Sequence, residues 1–310
     1  MQKYSGPTWE VEEPGTGHFY TFTSEEFARF FQACRSVFPM TLGNAPYDNG
    51  NFFLTPAERN EVLLREPELA KFIRRVYGSK EFIQNIERYC FWLVDASPSD
   101  IKHSKILYER VSKVKEFRLA SKREATRKQS DSPYLFSDIR QPTTPYLLIP
   151  RVSSEKRGYI PMGYIDPDVI VTDSAFALER ATPYHLAILT SSVHMAWMRV
   201  VAGRLKSDYR YSSTVVYNNF VWPRTNPHQV MEIFHTGSEI LRAREKYPAS
   251  SYADLYDEVS MPKDLRDAHR ANDKAVLKAY GLPADMEELD IVKHLFRLNY
   301  EMTGREFPES

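Results

Sequence analysis

The chain has few cysteines, no long apolar run and none of the short motifs that mark common catalytic sites. Its two cysteines, Cys34 and Cys90, lie in apolar segments, which predicts buried free thiols and a reducing, cytoplasmic setting. No apolar run approaches the about 20 residues that a membrane span requires. The first residues also lack the basic region and apolar core of a secretory signal. The sequence therefore predicts a folded cytoplasmic protein without a membrane segment.

Motifs for nucleotide, metal or nucleophile chemistry are missing as well. The chain contains no glycine-rich phosphate loop, and no histidine or cysteine pair has the spacing of a zinc site. His185 and His194 lie on one predicted helix, where a lone histidine is typical of a core. Asp166 and Asp168 lie beside turn prolines and are predicted to be structural. A carboxylate site for Mg²⁺ assembled from distant residues stays open, because local spacing cannot test it.

The charges balance over the whole chain but not along it. The 41 Lys and Arg residues equal the 41 Asp and Glu residues. Residues 101–224 nevertheless carry 20 basic against 11 acidic side chains, while residues 1–100 carry 10 against 14 and residues 225–310 carry 11 against 16. A basic middle segment can create a local positive field in a neutral protein. The alternative is that these charges are scattered over solvated faces.

Hydrophobic periodicity and capping signals predict an α+β fold for residues 1–224 and a small all-α domain for residues 225–310, with the boundary in VWPRTNPHQ (221–229). Helices are predicted at 25–38, after Thr55, at 67–77, from Ser97 to about Arg127, from Thr182 to Gly203, at 227–246, at 262–281 and at 286–303. Strands are predicted at 89–94, in three short segments between 146 and 172, and at TVVYNNF (214–220).

The long helix predicted from Ser97 has a strongly basic polar face. Ile101, Tyr108, Val111, Val114 and Leu119 approximate its apolar stripe. A contiguous positive stripe releases counterions when it meets a polyanion, which favours phosphate contacts over an ordinary solvated face. The candidates on this segment are Lys115, Arg118, Lys122 and Arg123.

Two shorter clusters mix cations with hydroxyl and aromatic side chains. They are RVSSEKRGY (151–159) and GRLKSDYRYSST (203–214). Arginine can donate two hydrogen bonds to a guanine edge, while Lys, Ser, Thr and Tyr commonly hold phosphates. The candidates for DNA contact are Arg151, Ser153, Ser154, Lys156, Arg157, Arg204, Lys206, Tyr209 and Arg210. For Tyr209 and Tyr211, packing is the alternative.

Longer segments carry a family resemblance. In chain order they are GNAPYDNGNFFLTPAE, GSKEFIQNIERYCFWL, VSSEKRGYIPMGYI, LTSSVHMAWMRVVAGRLKSDYRYSSTVVYNNFVWP and SSYADLYDEVSMPKDLRDAHRANDKAVLKAYG. Together they resemble the target recognition domain and helical C-terminal domain of MmeI-like, type IIL restriction-modification enzymes and of related adenine-specific DNA methyltransferases of phage-defence systems. The resemblance extends from about Phe38 to about Thr303.

The resemblance implies a module that reads a short asymmetric sequence in double-stranded DNA and positions a methyltransferase, which flips an adenine out of the duplex. S-adenosylmethionine and Mg²⁺ are then expected only in methyltransferase and nuclease domains, upstream or on a separate chain, because this chain lacks an Asn-Pro-Pro-Tyr/Phe motif. It also implies base contacts within 151–157, 172–180 and 206–214. Asn218 and Asn219 become backbone ties, and Trp197 becomes a core anchor.

Two alternatives to DNA reading stay open. One is a protein-interaction subunit, in which the basic segment docks an acidic partner and the acidic tail docks a methyltransferase. The other is an intrinsic nuclease or methyltransferase, which requires a catalytic site that the sequence does not show.

Overall fold

The computed structural model describes residues 9–13, 18–22 and 24–304. The α-helices of that part are α1 (Ser24–Arg35), α2 (Pro56–Arg65), α3 (Ser79–Gln84), α4 (Pro98–His103), α5 (Lys105–Leu119), α6 (Glu124–Lys128), α7 (Pro183–Leu189), α8 (Ser192–Val201), α9 (Pro227–Glu245), α10 (Tyr252–Leu255), α11 (Lys263–Ala279) and α12 (Glu288–Thr303). Two 3₁₀ turns cover Pro67–Phe72 and Gln129–Asp131, and a short π-helix covers Ser213–Tyr217.

The strands of the same part are β1 (Trp9–Glu13), β2 (His18–Phe22), β3 (Thr41–Leu42), β4 (Phe53–Leu54), β5 (Ile73–Tyr77), β6 (Tyr89–Phe91), β7 (Tyr146–Pro150), β8 (Val152–Ser153), β9 (Gly163–Ile165), β10 (Ile170–Val171), β11 (Ala175–Glu179), β12 (Gly203–Leu205) and β13 (Asp208–Arg210). They form four sheets, in the orders β1-β2, β10-β5-β6-β4, β3-β11-β7-β9 and β12-β13-β8. The α+β fold predicted from the sequence is confirmed.

The sheet β10-β5-β6-β4 carries the first hydrophobic core. Side chains of α2, of the Pro67–Phe72 turn and of α5 pack on it. A capping box starts α2: the Glu58 amide donates to Thr55 Oγ1 at 3.2 Å, and the Thr55 amide donates to Glu58 Oε2 at 2.7 Å. The Thr55-Pro56 signal read from the sequence therefore marks a real helix start.

The sheet β3-β11-β7-β9 separates two further clusters. Because successive side chains of a strand face opposite sides, Leu147 and Ile149 of β7 enter the largest core, while Tyr146 and Leu148 pack on the other face with Phe82 of α3. Strand β7 is buried at every position, as its continuous apolar run predicts.

The helical tail belongs to the same largest core. Val230 and Ile233 of α9, Val276 of α11 and Leu295 of α12 are buried in it beside α7, which is buried at every position after Pro183. Among the described residues after 225, every helix or strand assigned is a helix, and turns and loops join them. The part of the chain before residue 225 and the helical tail are therefore joined by a shared hydrophobic interior.

Several predicted elements are wrong in kind. Residues 67–77 form a 3₁₀ turn followed by β5, not one helix, because strand β5 completes the buried sheet between β6 and β10. The segment TVVYNNF contains a π-helix instead of a strand. Strand β11 was not predicted, although it is the partner of both β3 and β7.

Two long predicted helices are interrupted by serine caps. The segment after Ser97 is broken at Ser104, whose hydroxyl accepts from the Leu107 amide at 3.0 Å, and again between α5 and α6. The segment after Thr182 is broken at Ser191, whose hydroxyl caps α8. Both serines compete with the helix for local hydrogen bonds, so one continuous helix in either place was a wrong prediction.

Among the described helices, none is long and apolar enough to cross a lipid bilayer.

Candidate nucleic-acid interface

The structure brings the two predicted clusters together in one sheet. Strand β13 pairs with β12 in a hairpin and with β8 on its other side. Tyr209 lies opposite Ser153, and Arg210 lies opposite Val152. Segments 151–157 and 203–210 therefore form one continuous surface, which we call the basic sheet (β12, β13, β8 and the loop 154–158).

The faces of the basic sheet are set by strand alternation. Tyr209 and Ser153 face inward and are buried at 6% and 2% exposure. Arg210 follows Tyr209 on β13, so its side chain lies on the opposite, outer face, and it is exposed. Lys206 is exposed in the hairpin turn with a left-handed backbone (φ 58°). The outer face and the turn thus present one arginine, Arg210, and one lysine, Lys206, to solvent.

Arg204 is held by its neighbours before any ligand arrives. Its guanidinium carbon lies 3.9 Å from the centre of the Tyr209 ring, a cation–π contact. It also donates to the backbone oxygens of Ser207 at 3.3 Å and Arg199 at 3.4 Å. Tyr209 is therefore a platform for Arg204. The packing alternative holds for the Tyr209 ring, which is 6% exposed, and direct contact of Tyr209 with DNA stays a prediction.

Ser153, another residue predicted to contact DNA, is buried as well. Its hydroxyl is buried and accepts a 3.5 Å hydrogen bond from Arg157. Arg157 is half-buried and its Nε has no partner among the described residues. Burial lowers the pKa of Arg157, and Asp208 and Asp257 oppose that shift. Ser154 is half-buried and Lys156 is exposed, so Lys156 is the most accessible cation of the loop.

Arg151 joins the basic sheet to the segment 172–174. Its guanidinium donates to the Asp173 carbonyl at 3.1 Å, and its backbone oxygen accepts from the Tyr211 amide at 2.8 Å. Burial raises the pKa of the Asp173 carboxyl, while Arg151 and Arg140 lower it. All three segments expected to carry base contacts therefore meet at Arg151, through its bonds to Asp173 and Tyr211.

Arg140 was missed by the sequence reasoning. It is exposed, donates to the Gly43 carbonyl at 3.2 Å and pairs with Asp138 at 3.2 Å. It stands alone in the loop SDIRQP, so neither a charge run nor a repeated pattern marks it. Only the fold shows that Arg140 and Arg151 both lower the pKa of the Asp173 carboxyl.

Arg118 is the clearest correction among the predicted contacts. Its side chain is 1% exposed, and its five N–H groups donate to five backbone carbonyls at 2.7–3.2 Å. The acceptors belong to Pro46, Tyr47, Gln129, Ser132 and Leu135. No donor of this guanidinium is left for a phosphate, so Arg118 ties two loops together instead.

Lys115, Lys122 and Arg123 are exposed as predicted, but they lie on or after α5, which packs on the first core. The expected apolar stripe of this segment is only partly right. Val111 and Val114 are buried, whereas Tyr108 and Leu119 are 60% and 52% exposed. These three cations therefore lie on other elements than those of the basic sheet.

Several framework predictions are confirmed. Trp197 is buried and its Nε1 donates to the Val216 carbonyl at 2.9 Å. Asn219 is a backbone tie, since its Nδ2 donates to Thr214 and Val215. The core position predicted for His194 is confirmed, and for Tyr211 the packing alternative holds: both are buried, and His194 Nε2 lies 2.9 Å from the Tyr211 hydroxyl.

Within residues 9–13, 18–22 and 24–304, no group of three or more His, Cys, Asp and Glu side chains could hold a metal ion. His185, buried in the core, bonds to Thr182 and to the Ser36 carbonyl. Cys34 and Cys90 are buried free thiols, as predicted.

Comparisons with known proteins identify the family to which the chain belongs. Residues 30–224 match the family model for the MmeI target recognition domain, and residues 225–305 match the model for the MmeI C-terminal domain. The resemblance inferred from the sequence is confirmed by these matches.

Two longer proteins are similar over most of the chain. DNA methyltransferase A of Bacillus subtilis (strain 168) is 38% identical over 266 residues, which cover 85% of this chain and 30% of that protein. The solved structure of the type IIL restriction-modification enzyme MmeI in complex with DNA is 41% identical with a TM-score of 0.85, over 87% of this chain and 36% of that one. The chain thus spans about a third of the length of these relatives.

Proposed function

We propose that this chain, which belongs to the MmeI family and carries its target recognition and C-terminal domains, is a double-stranded DNA recognition module. The observation that carries the proposal is the assembly of two distant basic clusters into one sheet with exposed Arg210 and Lys206. The similar MmeI structure was solved in complex with DNA, which supports a duplex as the ligand.

The residues of the basic sheet divide by accessibility into two proposed roles. Lys156 and Lys206 are exposed point charges in a loop and a turn, which suits phosphate contacts that fix the register of the duplex. Arg210 and Arg151 carry planar guanidinium groups on or beside strands, which suits bidentate contact with a guanine edge. Arg204 is oriented by Tyr209 and can serve either role.

The catalytic steps are assigned to other parts of the enzyme. The two similar proteins are about three times as long as the matched part, and one is named a DNA methyltransferase. We place S-adenosylmethionine and Mg²⁺ in methyltransferase and nuclease domains upstream or on a separate chain, with the assembly in the cytoplasm. The proposed division at residues 224 and 225 separates a recognition domain from a helical domain.

Binding to random-sequence duplex at about 50 mM salt is the first test, because nonspecific phosphate contacts are already strong there. We expect binding that weakens steeply with salt, with a log–log slope of about −0.9 per phosphate contact. Failure of the wild-type chain to bind at this salt concentration would favour the protein-interaction subunit. Binding of S-adenosylmethionine by the isolated chain would instead revive an intrinsic methyltransferase.

Arg210→Ala tests the reading role at one position. On a duplex obtained by selection from a random pool, we expect a loss of about 1–3 kcal/mol and relaxed preference at one base pair. Arg65→Ala is the matched control, since Arg65 is an exposed, ion-paired arginine on α2. A uniform loss over all sequences would make Arg210 a phosphate contact, and an unchanged affinity would remove it from the interface.

A further inference from the structure

The loop of the basic sheet is fastened to the helical tail by Tyr159. This residue follows Arg157 and Gly158 directly. Its hydroxyl donates to Asp273 Oδ2 on α11 at 2.6 Å, and its ring stacks on His269 of the same helix, with centroids 4.1 Å apart and planes 20° apart. The end of the loop that carries Lys156 is therefore fixed by two contacts to one helix.

The same carboxylate also holds the helix that leads into the hairpin. Asp273 Oδ1 accepts a 2.6 Å hydrogen bond from the Ser192 amide at the start of α8. Helix α8 ends at Val201, just before β12 begins at Gly203. One side chain of α11 thus connects to both chain segments of the basic sheet.

A second acidic residue of the tail repeats this pattern on the surface. Glu288, at the start of α12, forms an ion pair with Arg199 of α8. The Arg199 guanidinium also donates to the Gly158 carbonyl at 3.4 Å, and the Arg199 carbonyl accepts from Arg204. Through Arg199, α12 is connected both to the loop and to the hairpin.

We propose that Asp273 and Glu288 are positioning residues, by which the helical tail holds the loop and the hairpin of the basic sheet in the arrangement that binds DNA. The inference rests on the proposed function. In this role Asp273 acts through Tyr159 and the Ser192 amide, and Glu288 acts through Arg199. The tail is thereby part of the recognition apparatus, although its own charge is acidic.

The physical basis is preorganisation. Without the Tyr159 hydrogen bond, the loop must be ordered when DNA binds, and each side chain immobilised at that moment weakens binding. Phosphate contacts made by Lys156 and Arg157 would then be lost or shared among several conformations. The salt dependence of binding counts such contacts, so it reports on positioning separately from the stability of the fold.

Tyr159→Phe is the main variant, because it removes one hydroxyl and changes no charge at neutral pH. Tyr247→Phe is its matched control: Tyr247 is also half-buried and donates to an aspartate of α11, Asp264, at 2.8 Å. We expect the thermal midpoint to fall in both variants, and further in Tyr159→Phe, because its hydroxyl and the Asp273 acceptor are the more buried pair. Only Tyr159→Phe should lose about three- to tenfold in affinity for random-sequence duplex and about one to two units of salt slope.

Glu288→Gln is an independent test of the positioning role. Glu288 is exposed, so we expect this substitution to leave the fold intact. Removal of a negative charge by itself strengthens DNA binding, whereas loss of positioning weakens it. We expect weaker binding, and we expect Asp290→Asn, on the same helix and paired with Lys293, to bind as tightly as the wild type or more tightly. The comparison of Glu288→Gln with Asp290→Asn tests the positioning role even if Tyr159→Phe does not fold.

The outcomes separate the inference from the function on which it rests. A wild-type chain that binds no duplex at about 50 mM salt overturns both. A wild-type chain that binds, with Tyr159→Phe indistinguishable from Tyr247→Phe or with Glu288→Gln binding more tightly, overturns the positioning role alone.

Discussion

Arg118 and Lys115 lie on the same helix with the same charge, and burial separates their roles. Charge counting in the sequence treats both as phosphate contacts. The fold places Arg118 at 1% exposure among five carbonyl groups and leaves Lys115 exposed. The sequence could not show this difference, because the five acceptors come from loops that α5 meets only after folding.

Arg118→Ala should lower the free energy of unfolding by about 3 kcal/mol or more, since it leaves several buried carbonyls without donors and removes a packed side chain. Chemical denaturation of the variant measures this loss. Lys115→Ala is the control and should change stability by less than about 0.5 kcal/mol. Equal stabilities of the two variants would contradict the structural role of Arg118.

The buried histidines predict a pH dependence of stability. Burial lowers the pKa of His194 to about 3, and it also lowers the pKa values of His185 and His269. An unfolded histidine binds a proton near pH 6.5. Between that pH and the folded pKa the unfolded state holds more protons, so stability falls as the pH falls, by about 1.4 kcal/mol per pH unit for each such histidine.

His194→Gln tests this sign. Urea unfolding of the wild type and the variant between pH 7.5 and 5 should show a shallower loss of stability for the variant, by about 1.4 kcal/mol per unit below pH 6. Contributions of other titrating groups, which include Asp273 with its raised pKa, are common to both proteins and cancel in the difference. Parallel curves would show that His194 does not contribute.

At the scale of elements, capping signals in the sequence correctly predicted helix starts, because a helix start depends on local hydrogen bonds. The capping boxes at Thr55 and Asn226 marked the starts of α2 and α9. Strand β5 and the π-helix at Ser213–Tyr217 were misread, because their conformations depend on partners outside the local segment: β6 and β10 for the strand, and Trp197 for the π-helix. Pairing of β8 with β13 was likewise out of reach of local patterns.

The crossing of α7 and α9 depends on one glycine. A Cβ on Gly237 would lie 2.2 Å from the Pro183 carbonyl oxygen and 3.0 Å from Ala187 Cβ. Gly237→Ala should therefore destabilise the protein by about 1–3 kcal/mol, although alanine is the better helix former. Gly158→Ala, where a Cβ meets nothing within 4 Å, serves as the control in the same denaturation experiment. A Gly237→Ala variant as stable as the wild type would refute the close contact.

The whole molecule is electrically neutral, and its proposed function depends on where its charges lie. Strand pairing concentrates cations of two distant segments on the basic sheet, and two carboxylates of the acidic tail, Asp273 and Glu288, bind residues next to that sheet. Segment charges indicated a basic middle from the sequence. The shared core and the acidic supports could not be predicted, because both arise from contacts between residues separated by a large part of the chain.

Selection from a pool of randomised duplex DNA with the full chain, followed by sequencing, tests the central claim most directly. The proposed function predicts that successive rounds enrich one short asymmetric sequence, and that the enrichment is weaker with Arg210→Ala than with Arg65→Ala. A pool that stays random, although the wild-type chain retains DNA in every round, would contradict sequence recognition and leave only nonspecific attraction to phosphates.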